Sequence, residues 1–146
     1  LLEAFMVLSH AIVRDGEGAT KLVEVWVSGA RNAQDARAVA DTIAHSPLVK
    51  TALFAGDPNW GRILAAIGRA GVQDLTISAV RIALDEVVIV SQGQRDPAYR
   101  EEDGKKVMQQ DAFTIQVALG MGQVETRMLT CDLSYDYVKI NAEYRS

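Results

Sequence analysis

Cysteine and histidine are scarce in this 146-residue chain, which has one Cys and two His. The single thiol, Cys131, excludes an internal disulfide, and within a β-like run it is expected to be a small buried hydrophobe. The separate histidines His10 and His45, with no cluster of cysteines, give no metal-ligand set of the usual spacing. These shortages argue against a disulfide scaffold, a metal site and a Cys-His catalytic pair.

Long apolar runs are also missing, and none approaches the length of a membrane span. Leu1–Val13 is mostly apolar but lacks a basic leader and a small-residue cleavage site, so we expect no signal peptide. There is no Gly-rich phosphate loop and no nucleophile-elbow motif. The net charge of -4 argues against a nucleic-acid partner. We therefore expect a cytoplasmic protein without cofactor that handles small polar molecules.

Alternation of apolar and polar side chains predicts most of the strands. Val23, Val25 and Val27 alternate with polar or aromatic neighbours in a strand that ends at Gly29. The other predicted strands are a short buried strand at Leu48–Phe54, two strands within Leu75–Val90 separated by a turn near Leu84–Glu86, an antiparallel pair Phe113–Leu119 and Val124–Cys131 joined across Gly120–Gly122, and a last strand at Asp136–Ala142.

Helical spacing and capping residues predict the helices. The predicted helices are one from Leu1 that stops near Asp15-Gly16, Asn32–His45 with Asn32 as its N-cap, one opening at Asp57-Pro58 and running to Gly68 or Gly71, and a polar one from Asp96-Pro97 to Met108, which Gly104 weakens. Helices and strands interleave before a β-rich end, and the length fits one domain over residues 1–146. The sequence predicts an α+β fold, with a mixed sheet and packed helices.

The first motif that could carry chemistry is DGEGATK, residues 15–21, between a helix and a strand. Glycines on both sides of Glu17 allow a tight loop that presents its carboxylate. A positioned carboxylate can bind an ammonium group or move a proton. The alternative is a solvated turn in which Glu17 pairs with Lys21 at the surface.

The second motif joins SPLVK, residues 46–50, to DPNWGR, residues 57–62. A helix N-terminus with free N–H groups and a nearby Arg62 can hold an anion. The alternative is structural, with Asp57 capping the helix and Trp60 anchoring the core. The residues favour capping.

The third motif is the polar, tyrosine-rich end CDLSYDYVKINAEYRS, residues 131–146. An ordered end could place Asn141, Ser146 and the terminal carboxylate in a pocket. Chain ends commonly fray, so a loose tail is the alternative. Composition alone does not decide between them.

Taken together and in this order, the three motifs resemble the C-terminal part of the β chain of ornithine acetyltransferase, also called glutamate N-acetyltransferase. The resemblance covers nearly the whole chain, from Asp15 to Ser146. It implies an enzyme of arginine biosynthesis whose precursor cuts itself at an Ala-Thr bond into α and β chains. The new N-terminal Thr takes an acetyl group from N-acetylornithine and passes it to glutamate.

Residue by residue, the resemblance implies that Glu17, Asn141 and Ser146 bind substrate. The family typically ends in Thr, and Ser146 keeps the hydroxyl and the terminal carboxylate. The resemblance also implies partners: the α chain and the remainder of the β chain, in an αβ heterotetramer. Thr20 follows an alanine, but in the family this pair belongs to the DGEGATK motif and is not the cleavage site.

The nucleophilic Thr matches no residue of this chain, which opens without Met inside an apparent helix. We therefore expect a piece of the enzyme that contributes substrate-binding residues, has no catalytic residue and is inactive alone. Two other functions stay open. One is a non-catalytic domain that binds amino acids or serves in assembly, and the other is an independent enzyme that uses Glu17 or Cys131.

Overall fold

A computed structural model describes residues 20–133, which contain six strands, four α-helices and a short 3₁₀ helix at Ile77–Ala79. The strands are β1 (Leu22–Ala30), β2 (Arg81–Leu84), β3 (Val87–Ser91), β4 (Gln94–Arg95), β5 (Ala112–Ala118) and β6 (Val124–Cys131). The helices are α1 (Ala33–Ala44), α2 (Pro47–Ala55), α3 (Trp60–Arg69) and α4 (Glu101–Met108). The helix predicted from Leu1 to near Asp15-Gly16 and the strand predicted at Asp136–Ala142 lie outside the described residues.

The six strands form one sheet in the order β4-β3-β2-β5-β1-β6. Within it β1 and β5 run parallel, and the other neighbouring strands are antiparallel. Helix α1 packs on β1 and β6, while α4 packs near β2 and β3. The predicted α+β class with a mixed sheet and packed helices is confirmed.

Strand β1 forms where alternation predicts it. Val23, Val25 and Val27 are completely buried, whereas Glu24 and Trp26 are only partly covered. Successive side chains of a strand point to opposite faces of the sheet, so the valines line the face that joins the core. This strand lies between β5 and β6 and therefore brings both ends of the described chain together.

Strands β5 and β6 are not neighbours, so the predicted hairpin across Gly120–Gly122 is wrong. The connection crosses the end of β1, where Met121 and Gly122 donate backbone hydrogen bonds to the Gly29 carbonyl at 2.7 and 2.9 Å. Gly29 has a φ of 70°, and a Cβ there would lie 2.9 Å from the Gly120 nitrogen, so glycine suits this crossing. Alternation identifies the buried face of a strand but not its neighbour.

Helix α1 begins at the predicted cap. The Asn32 side chain accepts a hydrogen bond from the Asp35 backbone N–H at 2.8 Å, which satisfies a first-turn donor that has no partner within the helix. Its apolar residues Val39 and Ile43 are completely buried in the core. The predicted boundaries, Asn32–His45, match the observed helix and its two caps.

Helix α2 occupies the segment Leu48–Phe54, so the prediction of a short buried strand there is wrong. Ser46 Oγ accepts from the Val49 N–H at 3.2 Å, and Pro47 takes the first helical position. Gly56 ends the helix in the left-handed region, with a φ of 68°. These are start and stop signals of a helix. An apolar run between them does not by itself distinguish helix from strand.

The N-cap of helix α3 lies two residues after the predicted cap, Asp57. Asn59 is the N-cap, and its Oδ1 accepts from the Arg62 N–H at 3.0 Å. Asp57 instead accepts from the Asn59 side chain at 3.1 Å, so it orients the residue that caps. Trp60 is partly buried against the core, in agreement with its predicted anchoring role.

The two strands predicted within Leu75–Val90 are present, although the first begins only at Arg81. Asp85 lies between them with a φ of 51°, as the predicted turn requires. The polar helix predicted to open at Asp96-Pro97 starts later, at Glu101. Its predicted extent to Met108 is correct.

Candidate functional site

Asp132 is a buried carboxylate just after β6, and it joins the first motif to the third. Only 1% of its surface is exposed. Its Oδ1 accepts from the backbone N–H groups of Thr20 and Lys21 at 2.8 and 3.0 Å, and its Oδ2 accepts from the Thr20 hydroxyl. Burying a carboxylate is costly unless its oxygens are hydrogen-bonded, and these three donors meet that need.

Lys21 joins the first motif to α2, the helix that connects the two parts of the second motif. Its ammonium donates to the Leu53 carbonyl at 2.7 Å, in the last turn of α2. Carbonyls at a helix C-terminus carry partial negative charge, which favours a cation there. Burial lowers the pKa of Lys21, while the carboxylates of Asp132 and Asp111 act in the opposite direction. The ammonium thus binds the end of α2, and Asp132 lies near enough to favour its charged form.

A backbone hydrogen bond joins the third motif to the second, because the Leu133 N–H donates to the Lys50 carbonyl at 3.1 Å. The described parts of all three motifs therefore meet in one place. We call this place the motif junction, and its members are Thr20, Lys21, Lys50, Leu53, Asp132 and Leu133. The contacts join positions that are 32 and 112 residues apart in sequence.

The three predicted substrate residues, Glu17, Asn141 and Ser146, lie outside the described residues. Their roles therefore stay predictions. In the sequence, Glu17 precedes Thr20 by three residues and Asn141 follows Asp132 by nine. The motif junction thus contains the two points from which the chain continues toward the predicted substrate residues.

Sequence reasoning misses the partnership of Lys21 with Leu53 and that of Asp132 with Thr20. A charged residue directly after a strand that alternates from Val124 to Cys131 was the available signal for Asp132. That signal does not reveal which groups donate hydrogen bonds to Asp132, since Thr20 and Lys21 are more than 100 residues away in sequence. The alternative pairing of Lys21 with Glu17 also lies outside the described residues.

Cys131 is partly exposed at the end of β6, so the prediction that it is a buried core residue is wrong. It lies opposite Leu22, the first residue of β1, where the ladder between these two strands ends. His45 lies at the end of α1 and forms a 3.0 Å contact with the Asp41 carboxylate.

A cleft of about 450 Å³ lies at the N-terminal end of α3. The arginine suggested there by the sequence, Arg62, donates instead to the Leu48 carbonyl at 2.9 Å. Arg95 is the basic residue of the cleft, and Asp57 and Glu101 add two carboxylates. This mixture of charges does not favour an anion, so capping by Asn59 is the role that the geometry supports for the start of α3.

Tyr99 borders the same cleft and is 8% exposed. Among the described residues, none forms a hydrogen bond with its hydroxyl. Burial raises the pKa of Tyr99 above its ordinary value of 10.0, and the Glu101 carboxylate adds to the effect. The folded state therefore holds the phenol proton more strongly than the unfolded state does.

The Tyr99→Phe variant is expected to gain stability relative to the parent chain as the pH rises. From about pH 10 upward the unfolded phenol ionises while the folded phenol keeps its proton, so the parent loses stability with rising pH. The variant lacks this loss. Urea midpoints of both chains, measured from about pH 8 to about pH 11, check this expectation. A constant difference between the two chains over that range would contradict it.

Within residues 20–133, no three His, Cys, Asp or Glu side chains are grouped so that they could hold a metal ion. No helix in the same range combines the length and apolar character needed to cross a bilayer.

Comparison with known proteins gives a match along the whole chain, since the ArgJ family model matches residues 1–146. A relative from Methylococcus capsulatus is 61% identical over 139 residues, which cover 95% of this chain and 34% of that protein. One from Pseudomonas fluorescens is 56% identical over 146 residues, covering 100% of this chain and 36% of that protein. Both are named arginine biosynthesis bifunctional protein ArgJ, and the chain spans about a third of their length.

A solved structure has the same fold. The crystal structure of the arginine biosynthesis bifunctional protein argJ from Bacillus halodurans matches with a TM-score of 0.89 and 43% sequence identity. The match covers 97% of this chain and 66% of that chain. With a family model matched from the first residue to the last, and with relatives this similar, the chain belongs to the ArgJ family.

Proposed function

We propose that this chain is the C-terminal part of the β chain of a cytoplasmic arginine-biosynthesis enzyme that transfers an acetyl group from N-acetylornithine to glutamate. The names of the relatives support the pathway, and the three motifs support the reaction by resemblance. The observation that carries the proposal is the motif junction. Segments 32 and 112 residues apart in sequence come together there, and they belong to, or connect, the three motifs by which the chain resembles the family of that reaction.

In this proposal Glu17, Asn141 and Ser146 line the substrate pocket. The Glu17 carboxylate faces an amino group of ornithine or glutamate, because a charge-assisted hydrogen bond to an ammonium is stronger than a neutral one. The Asn141 amide and the Ser146 hydroxyl both donate and accept, which suits the carboxylate and amide groups of these substrates. The motif junction supports the two segments that lead to these residues.

The nucleophile is an N-terminal Thr that no residue of this chain matches. It forms an acetyl-threonine intermediate in a ping-pong reaction, with its own amine as the activating base. Oxyanion donors on the α chain stabilise the tetrahedral intermediates. The partners of this chain are accordingly the α chain and the remainder of the β chain, in an αβ heterotetramer.

Acetyl transfer is expected only when the missing portions are supplied. The chain alone should give no transfer from N-acetylornithine to glutamate. A chimera in which it replaces the matching 36% of the Pseudomonas fluorescens relative should be active. The rate of N-acetylglutamate formation measures the activity of the chain alone and of the chimera. Transfer by the chain alone would refute the proposal that the nucleophile lies outside this chain. A folded chimera that binds amino acids but does not transfer the acetyl group would favour a non-catalytic binding domain.

Within the active chimera, Glu17→Gln is expected to lower kcat/KM for both substrates by about 100-fold, because the neutral amide binds an ammonium more weakly than the carboxylate does. The matched control is Glu86→Gln, at an exposed turn position between β2 and β3, which should leave kcat/KM unchanged. Unaltered kinetics of Glu17→Gln for both substrates would remove the substrate-binding role.

A further inference from the structure

We propose that the cleft at the start of α3 is a binding site for a dibasic α-amino acid, whose carboxylate meets Arg95 and whose two ammonium groups meet Asp57 and Glu101. The inference goes beyond the proposed acetyl transfer and does not depend on it. The residues that carry it lie in the described part of the chain, and none of them is a predicted substrate residue.

The cleft has the size and the walls of a small-molecule site. Its volume is about 450 Å³, and ligand pockets commonly measure roughly 300 to 1,000 Å³. Trp60 and Tyr99 are the aromatic residues of its lining, and both pack against the hydrophobic core. Charged side chains and Asn59 add the few polar groups that orient a ligand in such a pocket.

The opposite charges in this cleft do not neutralise each other. Within residues 20–133, Arg95 donates to the Tyr99 carbonyl at 3.3 Å and forms no ion pair with Asp57 or Glu101. All three charges nevertheless lie close to one ring. Burial is the main cause that raises the pKa of Tyr99, and the two carboxylates and the guanidinium each modify it. A ligand with charges of both signs can therefore meet all three groups.

The local structure holds Asp57 and Arg95 in place before a ligand binds. Asp57 accepts a hydrogen bond from the Asn59 side chain at 3.1 Å, and its own N–H donates to the Ala52 carbonyl at 3.0 Å. The Arg95 guanidinium lies 5.3 Å from the centre of the Tyr99 ring, an arrangement that is favourable for a cation. Groups that are already held lose less conformational entropy on binding than mobile groups do.

The balance of charges indicates the ligand class. Two carboxylates and one guanidinium line the cleft, and a dibasic amino acid carries the complement, two ammonium groups and one carboxylate. A guanidinium can bind a carboxylate through two parallel hydrogen bonds, and a carboxylate binds an ammonium through a charge-assisted one. A second carboxylate on the ligand would instead be repelled by Asp57 and Glu101, so acidic amino acids are disfavoured.

Titration of the isotope-labelled 146-residue chain with L-lysine, followed by NMR, tests the site. The chain has two tryptophans, so the cleft and a remote position are observed together. The Trp60 signals are expected to shift saturably with a Kd of about 1 mM, because exposed charges bind weakly. The indole of Trp26 donates to Glu125 at 3.3 Å on the sheet, and its signal should not move. No saturable shift of Trp60 up to about 20 mM L-lysine would overturn the inference.

Two analogues of L-lysine test the charge complement. L-norleucine lacks the second ammonium group, and cadaverine lacks the carboxylate. Each is expected to bind at least about fivefold more weakly than L-lysine, because each loses one charged partner in the cleft. Cadaverine that binds as tightly as L-lysine would show that the cleft only attracts cations. L-norleucine that binds as tightly would remove the role of the second ammonium, and either result would refute the proposed ligand class.

Variants at exposed positions locate the binding to this cleft. Arg95→Met and Glu101→Gln should keep the fold and should each weaken L-lysine binding at least about fivefold. The matched controls are Arg69→Met, in the last turn of α3, and Glu102→Gln, beside Glu101 in the first turn of α4. Both controls should leave Kd within about twofold of the parent. Unchanged binding in both cleft variants would contradict the assignment.

The Glu17→Gln variant separates failure of this inference from failure of the proposed function. It should leave the titration of Trp60 unchanged, whether or not it alters acetyl transfer in the chimera, because the site requires only Asp57, Arg95 and Glu101. Loss of the Trp60 response in Glu17→Gln would assign L-lysine to the proposed substrate pocket and overturn the inference. A Trp60 signal that never shifts, in a chain whose chimera transfers acetyl groups, would refute the cleft site alone.

Discussion

Replacement of Asp132 by alanine is expected to lower the free energy of unfolding by about 3 to 5 kcal/mol, because it removes the charged acceptor of three partly buried hydrogen bonds. The N–H groups of Thr20 and Lys21 and the Thr20 hydroxyl would lose their partner together. The Lys21 ammonium would also lose a nearby carboxylate that favours its charged form. Urea unfolding of the parent and variant chains measures the change.

Two controls make this result specific. Asp132→Asn keeps one carbonyl oxygen as an acceptor and should cost only about 1 to 2 kcal/mol. Asp41→Ala removes a carboxylate whose side chain is 60% exposed on α1, and its effect should stay within about 0.5 kcal/mol. An Asp132→Ala chain as stable as the Asp41→Ala chain would show that the buried carboxylate does not stabilise the fold.

Gly104→Ala is expected to destabilise the chain by about 2 kcal/mol, although alanine favours helices more than glycine does. Gly104 lies inside α4, where an added Cβ would come within 2.3 Å of the Tyr99 hydroxyl oxygen and 3.0 Å of the Pro58 Cβ. The tyrosine is 8% exposed, so its ring has little room to retreat. The clash should therefore outweigh the gain in helix propensity.

A double-mutant cycle tests this explanation. Tyr99→Phe removes the clashing oxygen, so Gly104→Ala should cost at least about 1 kcal/mol less in that background. Gly68→Ala is the matched control, because Gly68 lies in α3 and a Cβ there would meet nothing within 4 Å. This control should stabilise the chain by about 0.5 to 1 kcal/mol. Equal effects of the two glycine substitutions would contradict the packing argument.

Local patterns predict the elements of this fold better than they predict its arrangement. Asn32 predicts the start of α1, and the alternating valines predict β1. Both predictions are correct because capping and alternation depend on residues that are close in sequence. The segment Leu48–Phe54 shows the limit of these patterns. Its apolar run fits a strand, and only the flanking Ser46-Pro47 and Gly56 indicate the helix that forms.

The candidate site divides in the same way. The motifs that resemble ornithine acetyltransferase are visible in the sequence, and the match of the ArgJ family to residues 1–146 agrees with them. The roles of Glu17, Asn141 and Ser146 stay predictions. The hydrogen bonds of Asp132 could not be predicted, because its donors are 111 and 112 residues away in sequence. A sequence pattern does not show which remote groups contact an isolated charged residue.

By itself, the amino-acid sequence determined the family, most helix and strand segments, and the face of β1 that is buried, since each of these depends on neighbouring residues or contiguous motifs. Only the tertiary structure decided that β1 separates β5 from β6 and that a carboxylate after β6 holds the start of β1. The physical reason is distance along the chain. Strand order and buried hydrogen bonds depend on which remote segments come together, and that is settled by the packing of the whole core.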